Sequence, residues 1–173
     1  MDLDFLSVYK MKRGDMEAGE HLIRKYYPEI LRYCYLHQFD RDCAEDIAQE
    51  TFVRFFAAIG RYEHRGKVKN YLYTIAANLC RNESKRTKEL PLPERPEQET
   101  QPIPELEGKL DLYAALERLP MELRQVAVLY YFRQYTLKEI SGILKISPSL
   151  VRKRLERAKQ AMRRYLEGEE WDR

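Results

Sequence analysis

Apolar residues recur every three or four positions along most of this chain, which is the period of an α-helix. Between residues 17 and 38 they form one broad face, made of Leu22, Ile23, Tyr26, Tyr27, Ile30, Leu31, Cys34 and Tyr35. Pro28 falls within this stretch, so we expect it either to start a new helix or to kink the first one. Asp40 is placed to cap a second helix over residues 44–59, which Gly60 is placed to end. No stretch shows the strict alternation of a β-strand.

The helical period continues in the rest of the chain, where the pattern separates into two sets of helices. A third helix of the first set is predicted over residues 70–86, after a polar connection that contains glycine. Four short helices of the second set are predicted over residues 110–119, 122–132 and 137–144 and from Pro148 onward. Val126, Leu129 and Tyr130 are expected inside, and Thr136 and Pro148 suit the starts of the last two helices. These patterns predict an all-α fold.

The composition changes abruptly between these two sets of helices. Residues 89–108 read ELPLPERPEQETQPIPELEG, with five prolines and no aromatic residue, and residues 89–107 hold six glutamates against one arginine. Such a segment cannot bury enough apolar surface to fold alone. We therefore predict two small helical domains, residues 1–88 and 108–173, joined by a flexible acidic linker over residues 89–107.

Charge is segregated along the chain, although the total is close to neutral. The formal net charge is only +3, with 34% charged residues. Residues 61–88 nevertheless carry eight lysines and arginines against two glutamates, and residues 147–166 carry seven against one. Nucleic-acid binding would therefore depend on these two segments and not on bulk charge.

The first basic segment mixes aromatic and cationic side chains in a way that suits single-stranded nucleic acid. Tyr62, Tyr71 and Tyr73 are interleaved with lysines and arginines. Unpaired bases can stack on the rings while the cations neutralise phosphates. The alternative is that Tyr71 and Tyr73 belong to the core or the rim of a helical bundle.

The second basic segment has the pattern of a helix-turn-helix. Residues 137–160 read LKEISGILKISPSLVRKRLERAKQ: an apolar-faced helix, a short turn with Ser147 and Pro148, and a helix rich in cations. In such motifs the early residues of the second helix approach base edges in the major groove, and later ones meet phosphates. Arg152, Lys153 and Arg157 share the outward surface of that helix. Taken alone, these charges could also form an ordinary solvated face.

Enzymatic activity has little support in the sequence. The three histidines form no metal-ligand pair, and there is no glycine-rich phosphate loop or nucleophile elbow, so we expect no enzyme and no cofactor. Asp42, Glu45, Asp46 and Glu50 form an acidic cluster that suits the docking of a basic partner. A magnesium nuclease site there would lack the second acidic cluster on which a metal site usually draws.

Cysteine usage and hydropathy favour a cytoplasmic protein. Cys34, Cys43 and Cys80 are odd in number and form neither a CxxC pair nor a metal cluster, so we expect reduced, mostly buried thiols. The first residues, MDLDFLSVYKMKRGD, lack the apolar core of a signal peptide. No run approaches the ~20 apolar residues of a membrane span.

Four segments together resemble the extracytoplasmic-function (ECF) branch of bacterial RNA polymerase sigma-70 factors. They are AEDIAQETFVRFF (residues 44–56), YLYTIAANLCRNESKR (71–86), LERLPMELRQVAVLYYFRQYTLKEISGIL (116–144) and SLVRKRLERAK (149–159). Their order and spacing agree with that family over about residues 17–166. The resemblance implies an alternative sigma factor. Its first domain, like sigma region 2, would bind core polymerase and the −10 element, and its last, like region 4, the −35 element.

The resemblance also implies which residues make each contact. A helix that docks on the β′ clamp coiled coil of polymerase would use Asp46, Gln49, Glu50 and Arg54. The non-template strand of the −10 element would be held by Arg61, Tyr62, Lys67, Lys69, Asn70, Tyr73, Asn78, Arg81 and Asn82. The −35 element would be bound by Ser149, Arg152, Lys153, Arg154 and Arg157. The implied partners are core RNA polymerase, including its β flap, promoter DNA and an anti-sigma factor.

Some positions depart from the family pattern. Val68 and Tyr71, in VKNYLY, replace two larger aromatic residues. Lys145 stands where the turn of the helix-turn-helix favours glycine at positive φ. Ser149, Leu150 and Lys153 replace the usual Gly, Thr and Ser of the recognition helix. A rival interpretation is a stand-alone helix-turn-helix regulator that binds a palindromic site without polymerase.

Overall fold

A computed structural model gives the structure of residues 3–63, 67–89 and 110–168. Within these residues the chain is helical with no β-strand, which confirms the predicted all-α fold. The helices are α1 (Leu3–Lys12), α2 (Met16–Gln38), α3 (Arg41–Ala58), α4 (Val68–Glu89), α5 (Leu110–Arg118), α6 (Met121–Ala127), α7 (Leu137–Leu144) and α8 (Pro148–Leu166). α6 continues directly into one π-helical turn, Val128–Phe132. Apart from Glu89, the predicted acidic linker lies outside the described residues.

The first four helices form one packed unit around α2. α2 contacts α1, α3 and α4, and its buried face includes Leu22, Ile30 and Tyr33. Asp40 begins α3 as an N-cap, because its carboxylate accepts a hydrogen bond from the Cys43 N–H at 2.7 Å. This confirms the cap predicted from the sequence.

α2 runs without interruption through Pro28, so of the two expected alternatives the start of a new helix at Pro28 is wrong. A proline inside a helix removes one backbone hydrogen bond and costs about 3 kcal/mol. Tertiary packing offsets this loss, because Tyr26 and Ile30, on either side of the proline, are both buried in the same core. The helix ends instead at Gln38, and the capping residue Phe39 that follows has a left-handed φ of 53°.

α5 to α8 form the second packed unit, and its last two helices begin where the sequence predicted. Thr136 and Glu139 make a capping box at the start of α7: each side chain accepts a hydrogen bond from the other residue's backbone N–H. Ser147 caps α8, and Pro148 occupies its first turn. The local polar residues therefore set the starts of both α7 and α8.

Tyr130 was expected inside this second unit, but its side chain is 41% exposed, so that prediction is wrong. The cause is the π-helical turn, in which the Arg133 N–H bonds to the Val128 carbonyl five residues earlier. The wider turn changes the angular spacing on which the helical period depends. Val128 and Leu129 stay buried, while Tyr130 and Tyr131 reach the surface.

Lys145 has the left-handed conformation expected of it, with φ 53° and ψ 46°. A residue with a Cβ is strained there by about 1–2 kcal/mol, whereas glycine is not. Glycine loses more backbone entropy on folding, which removes part of the gain.

We expect Lys145→Gly to raise the free energy of unfolding by about 1 kcal/mol, measured by urea denaturation. Lys159→Gly, at an exposed interior position of α8, is expected to lower it by about 1 kcal/mol. If the two substitutions changed the free energy of unfolding equally, the backbone of Lys145 would not be strained.

The two units pack against each other, which the sequence did not predict. α2 contacts α5 and α6, and α4 contacts α6 and α7. Three hydrogen bonds cross the contact between described residues: Gln125 Nε2 donates to the Ala77 carbonyl at 2.8 Å, Arg124 Nη1 to the His37 carbonyl at 2.6 Å, and Arg133 Nη2 to the Glu29 carbonyl. In this arrangement the two predicted domains are therefore two helical units that share an interface.

His37 lies at this interface, fully enclosed, with Nδ1 2.7 Å from the Tyr33 carbonyl. Burial, with a smaller contribution from the Arg124 charge, lowers the pKa of the imidazole to about 3. A neutral imidazole must donate through Nδ1 to that carbonyl. Below the ordinary pKa of 6.5 the unfolded chain takes up a proton that the folded chain refuses, so stability falls as the pH falls from 6.5 toward 3.

We expect this single group to give a slope of up to about 1.4 kcal/mol per pH unit in that range. The measurement is urea denaturation at a series of pH values for the wild type and for His37→Gln. The variant is expected to be less stable near neutral pH but to lose most of this slope. An unchanged slope would show that other groups account for the acid sensitivity.

The thiols are mostly buried, as the sequence indicated. Cys34 and Cys80 are buried thiols outside any disulfide, and the Cys43 side chain is partly exposed. Among the described residues, no helix combines the length and the apolarity that a membrane crossing requires.

Candidate functional site

The α8 surface comprises the five residues predicted to bind duplex DNA: Ser149, Arg152, Lys153, Arg154 and Arg157. α8 is held against the unit by its opposite face, where Val151, Leu155 and Ala158 are buried. This fixes Arg152, Lys153 and Arg157 on the exposed side, while Arg154 is half-buried. The amphipathic spacing therefore positions the cations as a helix-turn-helix requires.

The electrostatics of the α8 surface favour an anionic ligand. Within the described part of the chain, no carboxylate forms an ion pair with Arg152, Lys153 or Arg157. An ion pair of Arg163 with Glu167, at 2.8 Å, lies at the far end of α8. The helix N-terminus adds a partial positive charge at the start of the same surface.

The α4 surface comprises the nine residues predicted to hold single-stranded DNA: Arg61, Tyr62, Lys67, Lys69, Asn70, Tyr73, Asn78, Arg81 and Asn82. Arg61, Lys67, Asn78 and Asn82 are exposed, while the others except Tyr73 are half-buried. Tyr62 packs on Tyr71, with ring centroids 4.9 Å apart. The structure thus places an aromatic pair beside several cations, although part of the preceding loop, residues 64–66, lies outside the described residues.

Tyr73 is the exception on the α4 surface, because it is fully buried. Its ring lies edge-on to Tyr33, at 5.0 Å, and to Tyr135 from the second unit, at 5.4 Å. Burial raises the pKa of its hydroxyl, which stays protonated at any physiological pH. In this arrangement Tyr73 therefore belongs to the core, which was the alternative weighed from the sequence, and it offers no surface to a base.

A cavity of about 540 Å³ lies between the α4 surface and α7. Tyr62, Lys67, Asn70 and Tyr71 line one side of it. Lys138, Glu139, Gly142, Ile143 and Lys145 line the other. Lys67 Nζ is 3.6 Å from the Glu139 carboxylate across this space. Residues of the first basic segment and residues at and just after α7 thus meet around one cavity, which sequence spacing could not show.

The α3 surface comprises the four predicted docking residues, Asp46, Gln49, Glu50 and Arg54, together with Val53. Glu50 and Arg54 form an ion pair at 2.7 Å along the helix. Val53 is 60% exposed between them, and sequence reasoning missed it. An apolar side chain on the polar face of a helix was the signal that could have found it. The α3 surface is therefore a mixed apolar and charged patch, which suits a protein partner.

Comparison with known proteins identifies the class to which these surfaces belong. Residues 22–89 match the family model described as Sigma-70 region 2, and residues 109–162 match the one described as Sigma-70, region 4. Together with the relatives below, these matches show that the chain belongs to the sigma-70 family, in its ECF branch. The resemblance found in the sequence is confirmed, and with it the role of sigma factors in directing RNA polymerase to promoters.

The relatives are similar along most of this chain. It is 30% identical to the RNA polymerase sigma factor YlaC of Bacillus subtilis, covering 90% of this chain and 95% of YlaC. It is 29% identical to the ECF sigma factor SigW of the same species, covering 92% of this chain and 94% of SigW. It is 30% identical to SigE of Mycolicibacterium smegmatis over 87% of this chain, which spans 62% of the length of SigE.

Two solved structures share the fold. One is CnrH in complex with the cytosolic domain of CnrY, with a TM-score of 0.74 and 17% identity, covering 98% of this chain and all of CnrH (100%). The other is the sigma factor RpoE of Bartonella quintana in complex with the anti-sigma factor NepR. It has a TM-score of 0.68 and 17% identity, covering 86% of this chain and 96% of RpoE. At this identity the likeness concerns the fold alone.

Proposed function

We propose that this chain is an alternative sigma factor in which the α8 surface binds the −35 element, the α4 surface binds the melted −10 element and the α3 surface docks on core RNA polymerase. The observation that carries this division is that a helix-turn-helix and an aromatic, cationic surface occur in one chain, in separate units. Duplex and unpaired DNA require these two different surfaces.

The α8 surface suits intact duplex because its cations project from one face of a supported helix. Arg152 and Lys153, near the helix start, are placed to approach base edges, and Arg157, one turn later, to meet phosphate. The units of this protein are small, so each makes few contacts. Polymerase holds both units on one promoter, which makes the second contact effectively intramolecular.

The α4 surface suits a strand whose bases have left the duplex. Each base that stacks on an aromatic ring contributes about 1–3 kcal/mol, and the neighbouring lysines neutralise its phosphates. Capture of such bases stabilises the opened strand and so assists melting. Tyr62 and Tyr71 are the rings that already line a cavity large enough to accept a base.

The remaining partners follow from the α3 surface and from the structural neighbours. The α3 surface, acidic with an exposed valine, is proposed to bind the β′ clamp coiled coil, and the second unit to bind the β flap. CnrH and RpoE were each solved with a partner, the cytosolic domain of CnrY and the anti-sigma factor NepR. We extend this to propose an anti-sigma factor for this chain and a cytoplasmic location shared with polymerase.

The test is run-off transcription with purified core polymerase, with and without this chain, on a genomic promoter library. Specific transcripts are expected only when the chain is present. Transcription from a second set of templates, in which the −10 region is already melted, should depend less on the α4 surface. Sequence-specific binding to a palindromic site without polymerase, and no transcript with it, would favour the stand-alone regulator instead.

A further inference from the structure

The cavity between α4 and α7 has the size and the chemistry of a small-molecule site. It measures about 540 Å³, and its walls carry charged, amide and aromatic side chains. Close packing rarely leaves a space much larger than a water molecule between helices. Small-molecule sites, in contrast, have volumes of about 300–1,000 Å³. The side chains that line this cavity therefore indicate which kind of molecule it accepts.

The α4 side of the cavity is an aromatic wall. The rings of Tyr62 and Tyr71 pack with their centroids 4.9 Å apart and their planes inclined by 30°. Both side chains are half-buried and line the cavity. A flat heterocycle gains more from stacking on such rings than an aliphatic group of the same size does. A planar aromatic group is therefore the part of a ligand that this wall suits.

Oxygen atoms on both sides of the cavity require N–H donors. Asn70 Oδ1 is buried and has no hydrogen-bond partner among the described residues, although Asn70 lines the cavity. Glu139 Oε1 is 3.6 Å from Lys67 Nζ, which is too long for a direct hydrogen bond and leaves this oxygen able to accept one. A buried acceptor without a donor is costly, so a ligand that donates there is stabilised. Guanine carries neighbouring N–H donors, at N1 and N2, that suit two acceptors.

Lysines after the start of α7 supply positive charge that no described carboxylate neutralises. Lys138 and Lys145 are exposed, and neither forms an ion pair within the described ranges. Both line the cavity, where Lys67 stands on the opposite side. Among the described lining residues, these three lysines outnumber two glutamates, Glu63 and Glu139. A polyphosphate between the walls would meet ammonium groups from both units.

Lys145 holds its place at the cavity in spite of backbone strain. Its φ of 53° is left-handed, where glycine would be unstrained. Strained residues persist where the surrounding structure holds them, and they cluster at ligand sites. Because the Lys145 side chain lines the cavity, binding of a ligand phosphate gives a physical reason for a lysine at this position.

We propose that the cavity between α4 and α7 binds a free guanine nucleotide, a guanosine di- or triphosphate, whose base stacks on Tyr62 and Tyr71 and whose phosphates are bound by Lys138 and Lys145. The ligand is a small molecule and not a DNA strand, because it contacts lysines that lie outside the α4 surface. The same rings are proposed to stack bases of the −10 element, so bound nucleotide and melted strand exclude each other. That consequence alone rests on the proposed function.

The test is isothermal titration calorimetry of the full chain with GDP, without DNA or polymerase. Parallel titrations use guanosine, which lacks phosphates, inorganic pyrophosphate, which lacks a base, and UDP, whose base lacks the neighbouring N–H donors. GDP is expected to bind at least about tenfold more tightly than each of the three, because each loses one set of contacts.

Gly142→Leu fills the cavity without a clash. A Cβ at Gly142 meets nothing within 4 Å, and leucine favours a helix more than glycine does, so α7 is retained. The affinity for GDP is expected to fall at least about tenfold. The matched control is Gly142→Ala, which makes the same backbone change but leaves most of the cavity open, and it should bind GDP as the wild type does.

Lys138→Gln and Lys145→Gln test the phosphate contacts. Each variant is expected to bind GDP about five- to tenfold more weakly but to bind guanosine as the wild type does, whereas a general loss of structure would weaken both. Lys159→Gln, at an exposed position of α8, removes the same charge away from the cavity and should leave both affinities unchanged. Circular dichroism checks that every variant is folded, and the lysine variants decide the matter if Gly142→Leu is not.

The proposal is overturned if GDP does not bind the wild type, or if folded Gly142→Leu binds it equally well. Pyrophosphate that binds as tightly as GDP would also overturn it, because the aromatic wall would then contribute nothing. UDP that binds as tightly as GDP would reject the assignment to guanine. These titrations contain no polymerase and no promoter, so their failure leaves the proposed function to the run-off assay.

Discussion

Replacing Arg152 and Arg157 together by alanine is expected to lower run-off transcription from a −35-dependent promoter about 100-fold, because an arginine that binds a base edge or phosphate contributes about 1–3 kcal/mol. Both side chains are exposed on α8 and lie on the side away from its buried residues, so their removal should leave the fold intact. The loss should appear in initiation and in the salt dependence of promoter binding, whose slope should become shallower.

The control for this variant is Arg164→Ala, another exposed arginine near the end of α8. It removes the same charge away from the start of the helix and should have a much smaller effect. Binding of the double variant to core polymerase should be unchanged, because the α3 surface lies in the other unit. Retention of wild-type transcription by the double variant would contradict the role assigned to the α8 surface.

Replacing Arg124 by alanine is expected to lower the free energy of unfolding by about 3 kcal/mol, because it would leave several carbonyls, most of them partly buried, without a donor. Nε donates to the Leu116 carbonyl at 2.9 Å, and Nη2 to the carbonyls of Leu119, at 2.9 Å, and Glu117. Nη1 reaches across the interface to His37, and the guanidinium lies 5.0 Å from the Phe39 ring centroid. Burial lowers the pKa of this guanidinium to about 10, so it remains charged at neutral pH.

Urea denaturation of Arg124→Ala, Arg124→Lys and Arg164→Ala would test this role. Lysine should recover only part of the stability, because an ammonium cannot bond several carbonyls in the fixed planar geometry of a guanidinium. Arg164→Ala should stay within about 0.5 kcal/mol of the wild type, as an exposed substitution does. A small effect of Arg124→Ala would mean that the carbonyls at the end of α5 are readily hydrated.

Much of the helical framework could be predicted because its signals are local. Asp40 and Thr136 accept backbone hydrogen bonds within one turn of themselves, and Lys145 occupies a left-handed position between α7 and α8. Residue type and spacing suffice to recognise such features. The position of the α8 surface was predictable for the same reason, since the apolar period fixes which side of a helix is buried.

The errors arose where tertiary packing or an irregular turn overrode a local signal. Pro28 is tolerated because a long buried face continues on both sides of it. Tyr130 is exposed because a π-helical turn breaks the period used to place it. Gln125 and Arg124 look like ordinary surface residues of a helix, because nothing in the sequence reveals that their acceptors lie on α2 and α4.

The two carboxylate oxygens of Glu139 have separate tasks. Oε2 accepts from the Thr136 N–H at 3.0 Å, while Oε1 faces Lys67 of the other unit. The hydrogen bonds with Thr136 lower the pKa of Glu139 and fix its rotamer, so the side chain is ionised and oriented before the units meet. Immobilising a side chain on association normally costs about 0.5–1.5 kcal/mol in lost rotamer entropy. For Glu139 the folding of α7 has already removed that entropy. The same anchored anion would repel any phosphate backbone that approached the start of α7.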